Sequence, residues 1–165
     1  MSGRIVGIDC GASGAIAVLR ESECVGLFDM PMIQVGTRME YNARAMAKLV
    51  IDDLELGASD LVAIEHVHPN GKNGAVGAFK FATGYGIWLG IIAACDLRLE
   101  RVTPQRWRKA MLEGLPKGKG ASFQRALELF PDQASFLTRK KDDGRAEALL
   151  IAEYARRTFA GKEGT

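Results

Sequence analysis

Arg4-Ile5-Val6-Gly7-Ile8-Asp9-Cys10-Gly11-Ala12-Ser13-Gly14-Ala15-Ile16-Ala17-Val18-Leu19 is the stretch on which the fold turns. Residues 5–9 and 15–19 are apolar runs of strand length, and the glycines between them permit a tight reversal. Residues 25–30 extend the meander to a third strand, which Pro31 ends. An apolar run that closes on a carboxylate is unusual, because folded chains rarely bury an unpaired acid. Asp9 closes the first strand in this way, and Glu65 closes another, Leu61-Val62-Ala63-Ile64-Glu65.

Outward from that core, Asn42 reads as the N-cap of a helix with Met46, Leu49, Val50 and Leu54 at helical spacing, closed by Gly57. Residues 61–67 form a nearly continuous apolar strand, as expected of one buried on both faces. A glycine-rich loop, Pro69-Asn70-Gly71-Lys72-Asn73-Gly74, leads to a helix over 78–94 bearing Phe79, Tyr85, Trp88, Leu89 and Ile92. Gly84, Gly86 and Gly90 on that helix suit close approach of another backbone, in the core or across a dimer. Residues 97–102 are a fifth strand. Thr103-Pro104 then opens a helix over 105–112, Ser122 caps the next, and the last helix spans 144–159. This order predicts one α/β domain over residues 1–165 with a mixed five-stranded sheet, its first three strands antiparallel.

Composition sets few limits. With 47% hydrophobic and 25% charged residues the chain reads as an ordinary globular protein, and its net charge of +2 implies no partner. The distribution says more. Arg98, Arg101, Arg106, Arg108, Lys109, Lys117, Lys119 and Arg125 face only Glu100 and Glu113 within one segment, a basic strip suited to a polyanion. Cys10, Cys24 and Cys95 make no CxxC pair and fit free thiols in a reducing compartment. The apolar run 87–95 is too short to cross a bilayer, so no membrane partner is expected.

Asp143 and Glu147 are spaced i, i+4 at the head of the last helix and share one side of it. With strands one and four adjacent, Asp9 and Glu65 come together and the two helical acids approach them. At about 4 Å, each pair of like charges costs roughly 1 kcal/mol in water and about 4 at an effective dielectric near 20. A divalent cation removes that cost, and oxygen-only ligands suit Mg²⁺ or Mn²⁺ rather than Zn²⁺. The pattern therefore points to metal-dependent phosphoryl chemistry on two ions. His66 and His68 alternate with Glu65 and face away from it. The indole of Trp107 reads as core, between Arg106 and Arg108.

Gly7-Ile8-Asp9-Cys10-Gly11-Ala12-Ser13-Gly14-Ala15, Ala63-Ile64-Glu65-His66-Val67, Val102-Thr103-Pro104-Gln105 and Asp143-Gly144-Arg145-Ala146-Glu147-Ala148-Leu149-Leu150-Ile151-Ala152 together resemble the RuvC Holliday-junction resolvases, most of all those of phages and prophages. The resemblance implies an RNase H-like fold with helices on both sheet faces. It also implies a homodimer that nicks two opposed strands of a four-way DNA junction, in the cytoplasm of a bacterial cell or a phage-infected host. Asp9 would bridge two Mg²⁺ ions (or Mn²⁺), with Glu65 and Glu147 as ligands and Asp143 completing the set. Lys117 and Lys119 would match the phosphate-contacting loop, and Lys72, Lys80 and Arg106 are further candidates for DNA contact.

Two features depart from that pattern. Bacterial members usually place the last two ligands three residues apart and end on Asp. Here Gly144 holds that place, the acid lies four residues before Glu147, and Asp142 is the alternative ligand, at i, i+5. Where an aromatic wedge often follows Glu65, this chain has His68-Pro69, leaving Phe79 or Phe81 for the role. A branched- or flap-DNA nuclease of the same fold is the runner-up. The opening Gly-Ile-Asp-x-Gly also resembles the phosphate loop of sugar kinases and actin-like ATPases, which need two such domains. At 165 residues the chain is too short for that pair, so no nucleotide cofactor is expected.

Overall fold

Alternating apolar side chains build two cores, one on each face of a single central sheet. The computed structural model describes residues 3–66, 74–118, 120–139 and 142–161. In chain order its strands are β1 (Ile5–Ile8), β2 (Ala15–Arg20), β3 (Glu23–Asp29), β4 (Met32–Val35), β5 (Arg38–Tyr41), β6 (Leu61–Glu65) and β7 (Arg98–Val102). The helices are α1 (Ala43–Lys48), α2 (Gly74–Ala94), α3 (Pro104–Met111), α4 (Ala121–Leu129) and α5 (Asp143–Phe159). The main sheet runs β3-β2-β1-β6-β7; it is mixed, with β1–β3 antiparallel and β1 beside β6 as the sequence predicts, and β6 and β7 run parallel to β1. This is an RNase H-like arrangement.

One sheet face presents Val6, Ile8, Ile16, Val18, Val62 and Ile64 to α1 and α2. The other presents Ile5, Ala15, Ala17, Leu19, Leu61 and Ala63 to α3, α4 and α5. Small residues on this second face let α5 lie directly on the strands. A Cβ added at Gly7 would overlap the Ala148 carbonyl and the Ala152 nitrogen. The helix answers with Ala146, Ala148, Ala152 and Ala155, all fully buried.

Several elements differ from the sequence expectation. β4 and β5 form a separate two-stranded ribbon after Pro31, turning at Gly36 with φ +60. The expected helix from Asn42 to Gly57 is shorter. Asn42 does cap it, accepting from the Ala45 N–H at 3.1 Å, but a π-helical turn (Leu49–Asp53) follows and the chain leaves through Glu55 at φ +47. Helix α2 starts at Gly74 rather than 78, and β6 ends at Glu65, with His66 already outside the strand expected over 61–67. Helix α4 is entered from Gly120 at φ +106, two residues before the expected Ser122 cap. A 3₁₀ segment (Pro131–Phe136) that the sequence did not suggest joins α4 to the approach to α5. At 21 residues α2 is, contrary to expectation, long and apolar enough to cross a membrane by those two criteria; its Trp88 and Ile92 are buried against the sheet.

Candidate active site

Strand register places the first two acids. Ile5↔Leu61 through Ile8↔Ile64 are parallel partners, so Asp9 emerges beside Glu65 at the carboxyl ends of β1 and β6. Both continue the parity of Ile5, Gly7, Leu61 and Ala63, hence both rise from the face that α5 covers. The register has its own anchor one strand-length away. Arg4 donates from its backbone N–H (2.7 Å) and Nε (3.2 Å) to Asp60 Oδ1, and from Nη2 to Oδ2 at 2.9 Å. The Leu61 N–H then donates to the Arg4 carbonyl at 2.9 Å.

The remaining two acids arrive on α5, whose first turn is fixed by packing. A Cβ at Gly144 would overlap the Ser13 carbonyl, so the helix rests on the turn that follows Asp9. Arg145 clamps Asp29 at the end of β3 through Nε (2.7 Å) and Nη2 (2.9 Å). Glu147, one turn on from Asp143, is partly buried; Asp143 is exposed at the rim. Asp142 is committed elsewhere. Its carboxylate accepts from the Arg139 side chain and from the Thr138 and Arg139 N–H groups, and Arg139 holds its pKa down to about 2.

The cluster is electrostatically loaded. Burial raises the pKa of Asp9, against a hydrogen bond from the Gly11 N–H at 3.1 Å and the charge of Arg108. Burial also raises Glu65, which is 5% exposed, and the charge of Asp9 adds to the shift. Glu147 is pushed up to about 7 by burial, with Arg108 opposing and Asp9, Glu65 and Asp143 reinforcing. Such mutual repulsion, among donors that are all oxygen, fits a hard divalent cation in kind. Among the described residues no three potential ligands stand ready as a metal cage. Two of the carboxylates are turned to other partners. Trp107 Nε1 donates to Glu65 Oε1 at 2.8 Å, and Arg108 Nη2 donates to Glu147 Oε1 at 2.8 Å.

Those two partners are what the sequence reading did not assign to the site. Trp107 is indeed core, with no exposed surface, yet its N–H reaches a site acid. The signal was there, since a buried indole N–H usually finds an acceptor. Beside the acids runs a groove of about 910 Å³ whose charged lining is Arg108, Lys109, Glu113, Lys117, Asp143 and Glu147. Lys117 thus shares a groove with Asp143 and Glu147. Arg106 on α3 and Lys80 on α2 are exposed but do not line this groove, and Lys72 and Lys119 lie outside the described residues. His66 turns to the opposite face, its Nδ1 2.8 Å from the Tyr85 hydroxyl. Phe79 is 76% exposed and Phe81 partly buried; His68-Pro69 lies outside the described residues.

No family model matches the chain. Over 83 residues, half of the chain, it is 36% identical to a protein of Chlamydomonas reinhardtii named Holliday junction resolvase MOC1, chloroplastic; that stretch spans 9% of the relative's length. The fold has solved counterparts. Thermus thermophilus RuvC, in a structure described as in complex with Holliday junction substrate, superposes with a TM-score of 0.64 at 14% identity, covering 95% of this chain and 97% of that one. A second structure of Thermus thermophilus RuvC gives 0.61 at 13% identity over the same shares. At these identities the likeness is one of fold.

Proposed function

We propose that this RuvC-like chain is a metal-dependent, structure-selective endodeoxyribonuclease that resolves four-way DNA junctions by nicking opposed strands. One observation carries the reading: Asp9 and Glu65 leave adjacent parallel strands on the face where α5 delivers Glu147, which opens onto a groove that also carries Arg108, Lys109 and Lys117. The junction substrate is supported by the name of the chloroplast relative and by the substrate in the solved RuvC complex.

Asp9, Glu65, Glu147 and Asp143 would hold two Mg²⁺ ions, or Mn²⁺, which when bound supply an activated water and charge neutralisation at the leaving oxygen. The chain's own residues do the rest. Trp107 fixes the rotamer of Glu65 through its N–H, and the Gly11 N–H fixes that of Asp9. Lys109 and Lys117 in the groove offer charges to successive phosphates, and the exposed Lys80 and Arg106 are further candidates outside it. Paired nicks need two such sites, which a homodimer provides. The outer face of α2 suits that contact, because Gly86 and Gly90 carry no neighbour where a Cβ would stand, and Val76 and Phe79 are 83% and 76% exposed.

The test is cleavage with Mg²⁺ on end-labelled four-way junction, flap, duplex and single-stranded DNA. Symmetric nicks confined to the junction are expected, and comparable cutting of flaps makes the chain a branched-DNA nuclease instead. Asp9→Asn should cut at least about a hundredfold more slowly, since even losing a group that orients a metal ligand costs ten- to a hundredfold. It should bind the junction as before. Retained nicking removes Asp9 from the site.

A further inference from the structure

Arg108 stands over the acid cluster in a posture that strand cutting does not require. Its guanidinium donates to Glu147 Oε1 at 2.8 Å while its Cζ lies 5.1 Å from the Trp107 ring centre. That same indole donates to Glu65 Oε1 at 2.8 Å. Two consecutive residues of α3 thus grip one acid from β6 and one from α5. Arg108 is also the positive charge acting on Asp9, Glu65 and Glu147 alike. Lys109 lines the same groove and makes no ion pair among the described residues. The grip on Glu147 is specific to Arg108.

We propose that Arg108 is a resident cation that holds Glu147 until a divalent metal enters, and then passes to a DNA phosphate. The inference rests on reading the four acids as the metal site. Its physical basis is that Glu147 Oε1 cannot serve a guanidinium and a metal at full strength together. Release costs little, because the Arg108 side chain is 49% exposed and its head group gives up one partly exposed ion pair with Glu147 and the stacking over Trp107. It also has a destination. The groove that Arg108 shares with Lys109 and Lys117 is open to a phosphodiester, and a guanidinium fork matches two phosphate oxygens. Metal entry and an additional phosphate contact would then be one event, so that the empty site spends its arginine on itself and the loaded site offers it to the substrate.

The test is Mn²⁺ binding by calorimetry without DNA, on the full chain, in the wild type, Arg108→Gln, Arg108→Lys, Lys109→Gln and Asp9→Asn. Removing the competitor should tighten Mn²⁺ about three- to fivefold in Arg108→Gln, the scale of a partly exposed ion pair. Arg108→Lys, which keeps the charge but loses the fork, should fall between. Lys109→Gln removes the same charge from the same groove without touching Glu147, and should change binding by less than about twofold. Unchanged or weaker Mn²⁺ binding in Arg108→Gln overturns the proposal, and so does an equal gain in Lys109→Gln. Asp9→Asn separates the two readings. If it binds Mn²⁺ as well as the wild type, the acid site itself is misassigned. If it loses binding while Arg108→Gln gains nothing, only the competition is wrong.

Discussion

Trp107 and Glu65 show how one hydrogen bond ties packing to chemistry. The indole fills the core under α5 while its N–H supplies the buried Glu65 carboxylate with a donor at 2.8 Å. Trp107→Phe keeps most of the volume and removes that donor. Leaving a buried acceptor unpaired costs about 1–3 kcal/mol, so the variant should unfold at lower denaturant by that amount and nick more slowly. Phe without a change in either would make the contact incidental. At this scale the acids were legible, because a carboxylate closing an apolar strand has few structural uses. Their partners were not. Arg108 reads in the sequence as one more member of a basic strip, and only the meeting of α3 with α5 separates it from Arg106 and Lys109.

Among the elements, the pairing of β1 with β6 matters most, since it alone sets Asp9 beside Glu65. Asp60 secures that pairing from the far end through Arg4 and the Gly57 N–H. Burial would raise its pKa, but the hydrogen bonds from Arg4 and Gly57 outweigh burial and hold it below the ordinary value. A depressed carboxyl stabilises the fold above its unfolded pKa, and the contribution fades as pH falls through the lower folded one. Asp60→Asn should therefore cost about 1.5–3 kcal/mol at neutral pH, in the range of charged hydrogen bonds. Unfolding followed from pH 7 to pH 2 should show the gap between the two proteins narrowing below about pH 4. A constant gap would mean that Asp60 acts through shape alone. The central strands were readable from their apolar runs, whereas β4 and β5 were not: Ile33, Val35 and Met39 remain about half exposed, so no buried face imprints an alternation. The π-helical turn after α1 was equally hidden, because its apolar spacing is the same as that of the helix it interrupts.

For the whole molecule, sheet order followed from the chain order of strands and helices, while assembly did not. Gly84 makes room for the Tyr41 ring inside the fold, but Gly86 and Gly90 face outward. Replacing both with Gln meets no obstacle within the chain and should stabilise α2 by about 1 kcal/mol per site. If α2 is the dimer face, the wild type sediments as a dimer and the double variant as a stable monomer; a variant that stays dimeric moves the contact elsewhere. The seating of Gly144 on the Ser13 carbonyl reaches further than stability. It forbids any side chain at the one place, three residues before Glu147, where a pattern drawn from bacterial resolvases demands an acid. The interval between the last two carboxylates is thus dictated by a backbone oxygen in a distant turn. Any side chain introduced at position 144 would have to lift the first turn of α5 off that carbonyl, and would carry Glu147 away from the strand ends with it.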